Sequence, residues 1–149
     1  MEIRKYTKDL IPDVIDFEKR LREEEDSWGW EINEKYIDDV SKSFESSSFN
    51  ESLSLLAYVD GKVVGRIDSS TIYSHFDGSK KAYLDWICVI KSCRHKGVAQ
   101  ALMSELRIKL KENGMNTLIG LIASNDEAQS FYKKLPNAQI KDERIWIEL

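Results

Sequence analysis

The chain has 149 residues, of which 42% are hydrophobic and 32% charged, and its formal net charge is -4 at pH 7. This length and balance predict one globular domain over residues 1–149 and exclude a disordered or fibrous chain. The negative charge and the lack of a basic stripe argue against nucleic acid as a partner. Because the first residues are charged and no long apolar run follows, we expect a cytoplasmic protein with no membrane partner.

The two cysteines, Cys88 and Cys93, are too few for a disulfide framework, and their spacing matches no zinc site. We expect both thiols to be reduced, and we expect Cys88 to act as a small buried apolar residue. We therefore predict no metal cofactor.

The first half of the chain predicts a strand, two helices and a meander of three antiparallel strands. Apolar residues repeat at helical spacing over residues 9–25 and again over 33–44, after a short strand at 3–6. Asp60 and Gly61 separate two apolar runs, which is a strong hairpin signal. A further turn at 77–79 leads into a strand over 82–90.

The second half predicts helix, strand, helix and two closing strands. Leu102, Leu106 and Leu110 recur on one helical face, and Gly114 is suited to end that helix. A strand follows at 117–122, and residues 124–127 have the form of a capping box that opens the next helix. The closing strands are predicted at 138–140 and 144–149.

The junction between the strand at 83–90 and the helix that starts near Gly97 is suited to bind phosphate. Unpaired backbone N–H groups and the positive end of a helix dipole converge there, and Gly97 and Ala99 let an anion approach the backbone. Arg94, His95 and Lys96 add positive charge. On these local grounds, an ordinary turn with solvated charges stays open.

Arg94, Gly97 and Ala99 match the pattern Gln/Arg, two residues, Gly, one residue, Gly/Ala, and residues 125–128 and 131–135 add two further motifs. With these motifs and this order of elements, nearly the whole chain resembles the GCN5-related N-acetyltransferase (GNAT) superfamily. The resemblance implies an α/β (α+β) GNAT fold. Its central sheet is mixed and mostly antiparallel, with six to seven strands flanked by about four helices.

The resemblance also implies acetyl-CoA as the cosubstrate and names the residues that would bind it. The pyrophosphate would lie on the backbone amides of Arg94, His95, Lys96, Gly97, Val98 and Ala99. The pantetheine arm would pair like an added strand with Ile87, Cys88 and Val89, where the strand splays, often through a bulge. Asn125 would hydrogen-bond this arm, or else only cap its own helix.

In this family an amine attacks the thioester directly, without an acyl-enzyme. An amine with a pKa of about 10.4 is neutral on the order of once in a thousand molecules at pH 7, so a group must accept its proton. Asp85 is the candidate base, and strand alternation predicts that it shares a face with Ile87 and Val89. It could instead bind a cationic acceptor or simply face solvent. A backbone N–H near Val89 is the candidate oxyanion donor.

Tyr132 matches the acid that protonates the leaving CoA thiolate, unless it is only an aromatic residue of an amphipathic helix. For the acceptor, Glu25, Trp28, Trp30 and Asp85 are the candidate binding residues. Carboxylates and aromatic rings favour a small cationic amine such as a polyamine or an aminoglycoside, although an acidic run is also typical of a solvated surface. A peptide or protein N-acetyltransferase and a non-catalytic acyl-CoA-binding regulatory module are the alternatives.

The chain departs from its relatives after the second motif helix, where Pro136 and Asn137 stand in place of Gly and Phe. Pro136 cannot continue a helix and Asn137 tolerates a left-handed conformation, so these residues can make the same sharp exit. The departure leaves the final strand pair and a homodimer interface there as open questions.

Overall fold

The computed structural model describes residues 1–26, 30–140 and 147. The chain divides into two compact units, residues 1–119 and residues 120–149. The first unit contains three of the helices and nearly all of the sheet, and the second contains the remaining helix. That the chain forms one domain over residues 1–149 stays a prediction.

The order of elements follows the sequence prediction as far as residue 133. The helices are α1 (Ile11–Glu24), α2 (Glu34–Ser43), α3 (Val98–Glu112) and α4 (Asp126–Lys133). The strands are β1 (Glu2–Lys5), β2 (Leu53–Val59), β3 (Lys62–Tyr73), β4 (Lys80–Val89) and β5 (Leu118–Gly120). Short 3-10 turns lie at Lys8–Leu10, Ser47–Phe49 and Lys91–Cys93.

The sheet has the strand order β1-β2-β3-β4-β5, and the pairs β1–β2, β2–β3 and β3–β4 are antiparallel. Helix α3 connects β4 to β5, and such a crossover is what adjacent parallel strands require. The α/β fold with a mixed sheet and four helices is confirmed.

The predicted count of six to seven strands is wrong for the described residues, which form five. Residues 138–140 are not a strand, because a strand exists only when a neighbour pairs with it, and none of the five pairs with them. The turn before them is as predicted, with Asn137 left-handed at φ 60°. Most of the strand predicted at 144–149 lies outside the described residues.

The hairpin between β2 and β3 has the predicted turn. Asp60 and Gly61 have φ values of 49° and 75°, the pair of positive angles that a type I′ turn requires. This turn matches the twist of the flanking strands and sets their register as far as Tyr58 and Val63, beyond which a bulge shifts the register by one residue.

Helices α1 and α3 lie on opposite faces of the sheet. Gly65 faces Val98 and Leu102 of α3, whereas its neighbour Arg66 contacts Glu18 of α1. Successive residues of a strand point to opposite faces, so the two helices cover the sheet from both sides. The core is formed by side chains with no exposed surface, including Phe17 and Leu21 of α1, Leu55, Leu56 and Ile67 of the sheet, and Leu102 and Leu106 of α3.

Replacing Gly65 with alanine tests this packing. An added Cβ would lie 2.9 Å from Val98 Cγ1 and 3.3 Å from the Cys88 carbonyl oxygen. We expect Gly65→Ala to lower the free energy of unfolding by about 1–3 kcal/mol through overpacking, as measured by urea denaturation. Unchanged stability would show that α3 packs less closely on β3 than the structure has it.

Candidate functional site

The junction between β4 and α3 has the geometry of an anion site. Gly97 precedes the helix with φ 82° and forms no side-chain cap, and the first turn carries no acidic residue. The first N–H groups of a helix have no intrahelical acceptor, so they are directed at whatever lies before α3. A Cβ on Gly97 would meet nothing within 4 Å, so the space in front of the backbone is open. The main chain at this junction therefore fits a phosphate group.

Arg94 holds the junction together from within. Its guanidinium donates to both carboxylate oxygens of Glu25 at 2.8 and 2.5 Å, and its Nε donates to the Val89 carbonyl at 3.0 Å. The sequence predicted Arg94 as positive charge for the ligand and Glu25 as a carboxylate for the acceptor. The structure pairs the two with each other, so each compensates the charge of the other.

Glu24 contacts the same loop at a second point. Its carboxylate accepts from the backbone N–H and the hydroxyl of Ser92, both at 2.8 Å, and the backbone hydrogen bond lowers the pKa of Glu24. This contact could not be predicted from the sequence. Glu24 and Ser92 are 68 positions apart, and no spacing rule connects a helix end with a loop so distant.

Near Val89, the side of β4 that faces away from β3 is suited to hydrogen-bond an extended ligand. Ile90 N–H donates to the Val64 carbonyl, which makes Gly65 and Val89 a non-hydrogen-bonded pair of the ladder. In such a ladder the peptide groups of Ile87 and Val89 point away from β3. The Cys88 side chain lies on the opposite face of the sheet from those of Ile87 and Val89. It is buried as predicted, and burial raises the pKa of its thiol to about 12.

Asp85 is the extra residue of a β-bulge. Leu84 pairs with Ser69 and Trp86 pairs with Asp68, which leaves Asp85 opposite no residue of β3. The Asp85 carboxylate accepts a hydrogen bond from Ser70 Oγ at 3.1 Å. Ser70 lies on the face of Asp68 and Trp86, whereas Ile87 pairs with Ile67 on the opposite face.

The prediction that Asp85 shares a face with Ile87 and Val89 is therefore wrong. A bulge adds one residue to a strand and inverts the alternation of side chains beyond it. The bulge directs Asp85 to the face that α1 covers. It also lies four residues before Val89, where the resemblance places the splay of the strand.

Trp86 follows Asp85 in β4, and Trp30 packs against Trp86. The rings of Trp30 and Trp86 meet edge to face with centroids 5.7 Å apart, and Trp30 is 40% exposed. Arg22 of α1 donates to the Trp30 carbonyl at 3.0 Å and lies 5.0 Å from the centre of its ring. We call Trp30, Trp86 and Asp85 the aromatic corner. Trp28, which was predicted with them, lies outside the described residues.

A buried charge network lies behind the aromatic corner. Glu18 has no exposed surface and pairs with Arg22 at 2.7 Å and with Arg66 at 3.5 Å. Arg66 also pairs with Asp68 at 2.7 Å, and its guanidinium lies 5.8 Å from the centre of the Trp86 ring. Burial alone would lower the pKa of Arg66, but the Asp68 carboxylate raises it, so this cation stays charged.

Two predicted site residues, Asn125 and Tyr132, belong to the second unit. Asn125 is the N-cap of α4 and accepts from Ala128 N–H at 2.8 Å. The predicted capping box placed the cap at Ser124, one residue too early. Tyr132 is half-buried against Phe131, with ring centroids 5.1 Å apart, and burial raises the pKa of its hydroxyl. Tyr132 is therefore protonated at neutral pH.

Within residues 1–26, 30–140 and 147, no group of three or more His, Cys, Asp or Glu side chains could hold a metal ion. None of the helices in this part of the chain is both long and apolar enough to cross a membrane.

The mixed sheet and the uncapped start of α3 define an α/β protein whose strand-to-helix junction fits a phosphate group. The model of the acetyltransferase (GNAT) family matches residues 12–135, and the chain belongs to this family. It is therefore an N-acetyltransferase that uses acetyl-CoA. A search of curated protein sequences gives no significant match.

Solved structures of the same fold match over nearly their whole length. An aminoglycoside acetyltransferase from an uncultured soil metagenomic sample, in complex with trehalose, has a TM-score of 0.82 at 17% identity, over 99% of this chain and 95% of that one. AAC(6')-Iy in complex with a bisubstrate analogue of CoA and acetylneamine has a TM-score of 0.78 at 19% identity, over 99% and 97%. The ribosomal-protein-alanine N-acetyltransferase of Brucella melitensis biovar Abortus 2308 has 0.74 at 17%, over 100% and 99%. At these identities the likeness shows the fold alone.

Replacing Gly97 with alanine tests the main-chain anion site. Alanine at φ 82° costs roughly 1–2 kcal/mol, so the start of α3 should shift away from its present shape. We expect Gly97→Ala to weaken acetyl-CoA binding about tenfold or more in isothermal titration calorimetry. Gly78→Ala is the matched control, because Gly78 is also left-handed and equally open but lies in the β3–β4 turn. Equal binding by the two variants would contradict this site.

Proposed function

We propose that the protein transfers the acetyl group of acetyl-CoA directly to a primary amine of a small cationic acceptor, such as a polyamine or an aminoglycoside. The aromatic corner is the observation that carries this proposal. Trp30 is 40% exposed, and Asp85, which precedes Trp86 in β4, is also exposed and forms no ion pair with the residues that the structure describes. Aromatic faces and a carboxylate together attract ammonium groups.

The donor half of the proposed site is made of main chain. The pyrophosphate lies on the N–H groups of residues 95–99, since the Arg94 N–H donates to the Lys91 carbonyl. The pantetheine arm pairs with β4 at Ile87 and Val89, on the side away from β3. The open space at Gly97 and the outward peptide groups of these two residues support this placement. The Val89 N–H, which points to the same side, stabilises the oxyanion. Asn125 caps α4 through its side-chain oxygen. It also binds the pantetheine arm, through the side-chain hydrogen-bonding groups that do not take part in the cap.

Asp85 accepts the proton that the attacking ammonium must lose. Burial raises the pKa of Asp85, Ser70 opposes this through its hydrogen bond, and the nearby Asp68 charge adds to the increase. A carboxylate with a raised pKa is a stronger base at neutral pH than an ordinary aspartate. Because Trp86 is next in the strand, an amine held at the aromatic corner lies within reach of this base.

Tyr132 donates its hydroxyl proton to the CoA sulfur as the thioester carbon–sulfur bond breaks. The increase in pKa caused by burial keeps this hydroxyl protonated across the neutral range, as an acid must be. An ammonium acceptor loses two protons on the way to the neutral amide. The first goes to Asp85 before attack, and the second, lost from the nitrogen after attack, replaces through solvent the proton that Tyr132 gives to the leaving thiolate. The reaction therefore releases one net proton, which Asp85 passes to solvent.

The solved structures named above support a small acceptor in two ways. The aminoglycoside acetyltransferase from the soil sample has the highest TM-score of the three, 0.82. The structure of AAC(6')-Iy contains a bisubstrate analogue of CoA and acetylneamine. The ribosomal-protein-alanine N-acetyltransferase has the same fold and a slightly lower TM-score. Peptide acetylation is therefore the main alternative outcome of the test.

The direct test is CoA thiol release from acetyl-CoA with a panel of amines. We expect turnover with polyamines or aminoglycosides, with kcat/KM at least roughly tenfold above that for peptides, because a cation gains from the aromatic corner. Tyr132→Phe should slow the same reaction and confirm that the protein itself is the catalyst. Transfer to peptides only, or acetyl-CoA binding without turnover on any amine, would overturn the proposal.

The pH dependence of Asp85→Asn tests the base. Only the ionised carboxylate accepts a proton, so the kcat/KM of the unsubstituted protein should fall as the pH drops through the raised pKa of Asp85. Asp85→Asn should abolish this acidic limb and lower kcat by about 10²-fold or more. An increase in acceptor KM with kcat unchanged would assign Asp85 to acceptor binding instead.

Asp85→Asn should lower activity but should not lower the stability of the fold at neutral pH. A folded-state pKa above the unfolded value stabilises the fold below the unfolded pKa, and this contribution is lost as the pH rises through the folded value. At pH 7, Asp85→Asn should therefore be at least as stable as the parent in thermal melts. Asp60→Asn is the matched control, because Asp60 is exposed, lies in the hairpin turn and loses the same charge.

A further inference from the structure

We propose that Glu24 and Glu25 are positioning residues that hold the pyrophosphate-binding loop in the conformation that binds the ligand. We call residues 91–97 the donor loop and these two carboxylates the clamp. The inference rests on the proposed donor site, and it adds residues outside the motif that defines the family.

The clamp binds the donor loop at Ser92 and at Arg94. Both lie before the left-handed residues of the loop, His95 and Gly97. Glu24 accepts both the N–H and the hydroxyl of Ser92, and Glu25 accepts two hydrogen bonds from Arg94. Arg94 in turn donates to the Val89 carbonyl at the end of β4. The loop is thus tied to α1 on one side and to β4 on the other before the chain reaches His95 and Gly97.

The Arg94–Glu25 pair is stronger than an ordinary surface ion pair. The two side chains are only 22% and 19% exposed, and both oxygens of the carboxylate are engaged. Bidentate Arg–carboxylate pairs combine charge with a fixed plane, so they specify geometry as well as contributing energy. The plane of Arg94 therefore determines the direction in which the donor loop leaves β4.

This role of Arg94 differs from that of a phosphate-binding cation, and the two roles predict effects of opposite sign. If Arg94 served mainly as positive charge, removing the negative charge of Glu25 would strengthen anion binding. If Glu25 positions the loop through Arg94, the same substitution loosens the N–H groups that hold the pyrophosphate and weakens binding.

The test compares acetyl-CoA binding by Glu25→Gln and Glu23→Gln in isothermal titration calorimetry. Glu23 is an exposed residue near the end of α1, so its substitution makes the same change in net charge. We expect Glu25→Gln to raise the Kd for acetyl-CoA roughly tenfold, the effect of losing a charge-assisted contact. Glu23→Gln should stay near the parent value. A Kd for Glu25→Gln equal to or below that of Glu23→Gln would overturn the clamp.

A second measurement separates positioning of the loop from general damage to the fold. S-acetylpantetheine carries the acetyl thioester but no pyrophosphate, so it does not use the donor loop. For Glu25→Gln, kcat/KM should fall about tenfold with acetyl-CoA and change little with S-acetylpantetheine. Equal losses with both donors would also overturn the clamp, since they would indicate a structural defect at the reacting end.

Glu24→Gln provides an independent variant if Glu25→Gln does not fold. A glutamine can still accept from Ser92 but lacks the charge, so we expect a smaller loss of roughly threefold in acetyl-CoA affinity. No loss would overturn the role of Glu24 in the clamp. Failure of the parent protein to bind acetyl-CoA would instead contradict the proposed donor site itself, so the two failures are distinguishable.

Discussion

The bidentate ion pair between Arg94 and Glu25 ties the loop between β4 and α3 to the end of α1. It joins the end of one helix to the loop before another, and through the Val89 carbonyl it reaches the last residue of the strand. The anion site has few side chains of its own, because Gly97 supplies only backbone. A main-chain site is only as well defined as the loop that carries it. The geometry of the junction therefore depends on this pair more than on any residue that would touch a ligand.

The last turn of α1 contacts both the aromatic corner and the donor loop. Arg22 contacts the carbonyl and ring of Trp30, while Glu24 and Glu25 contact the donor loop. The turn itself is held on the sheet by the buried Glu18, which pairs with both Arg22 and Arg66. Burying such charges is costly, and their pairing offsets the cost rather than adding much stability. What the network contributes is a fixed position for the helix end relative to β3 and β4.

Much of this fold could be predicted from the sequence, because its main signals are local. The Leu102, Leu106 and Leu110 repeat predicts α3, and Asp60 with Gly61 predicts the hairpin. The face of Asp85 could not be predicted, since alternation assumes a regular strand and the bulge shows only in the pairing of Leu84 and Trp86 with β3. The partner of Glu25 could not be predicted either, because 69 positions separate it from Arg94 and an acidic helix end has the same local pattern whether solvated or paired.

The two halves of the site differ in what specifies them, and this difference explains how one fold can serve many acceptors. The proposed donor half depends on backbone conformation at Gly97 and on the start of α3, so its motif is recognisable in a chain that is only 17–19% identical to the solved structures named above. The proposed acceptor half depends on side chains from separate segments, such as Trp30 before α2 and Asp85 and Trp86 in β4. A substitution there changes the recognition of the amine without moving the donor loop, because the loop is held by its own contacts with α1. Selection can therefore alter the acceptor while the acetyl-transfer machinery is kept.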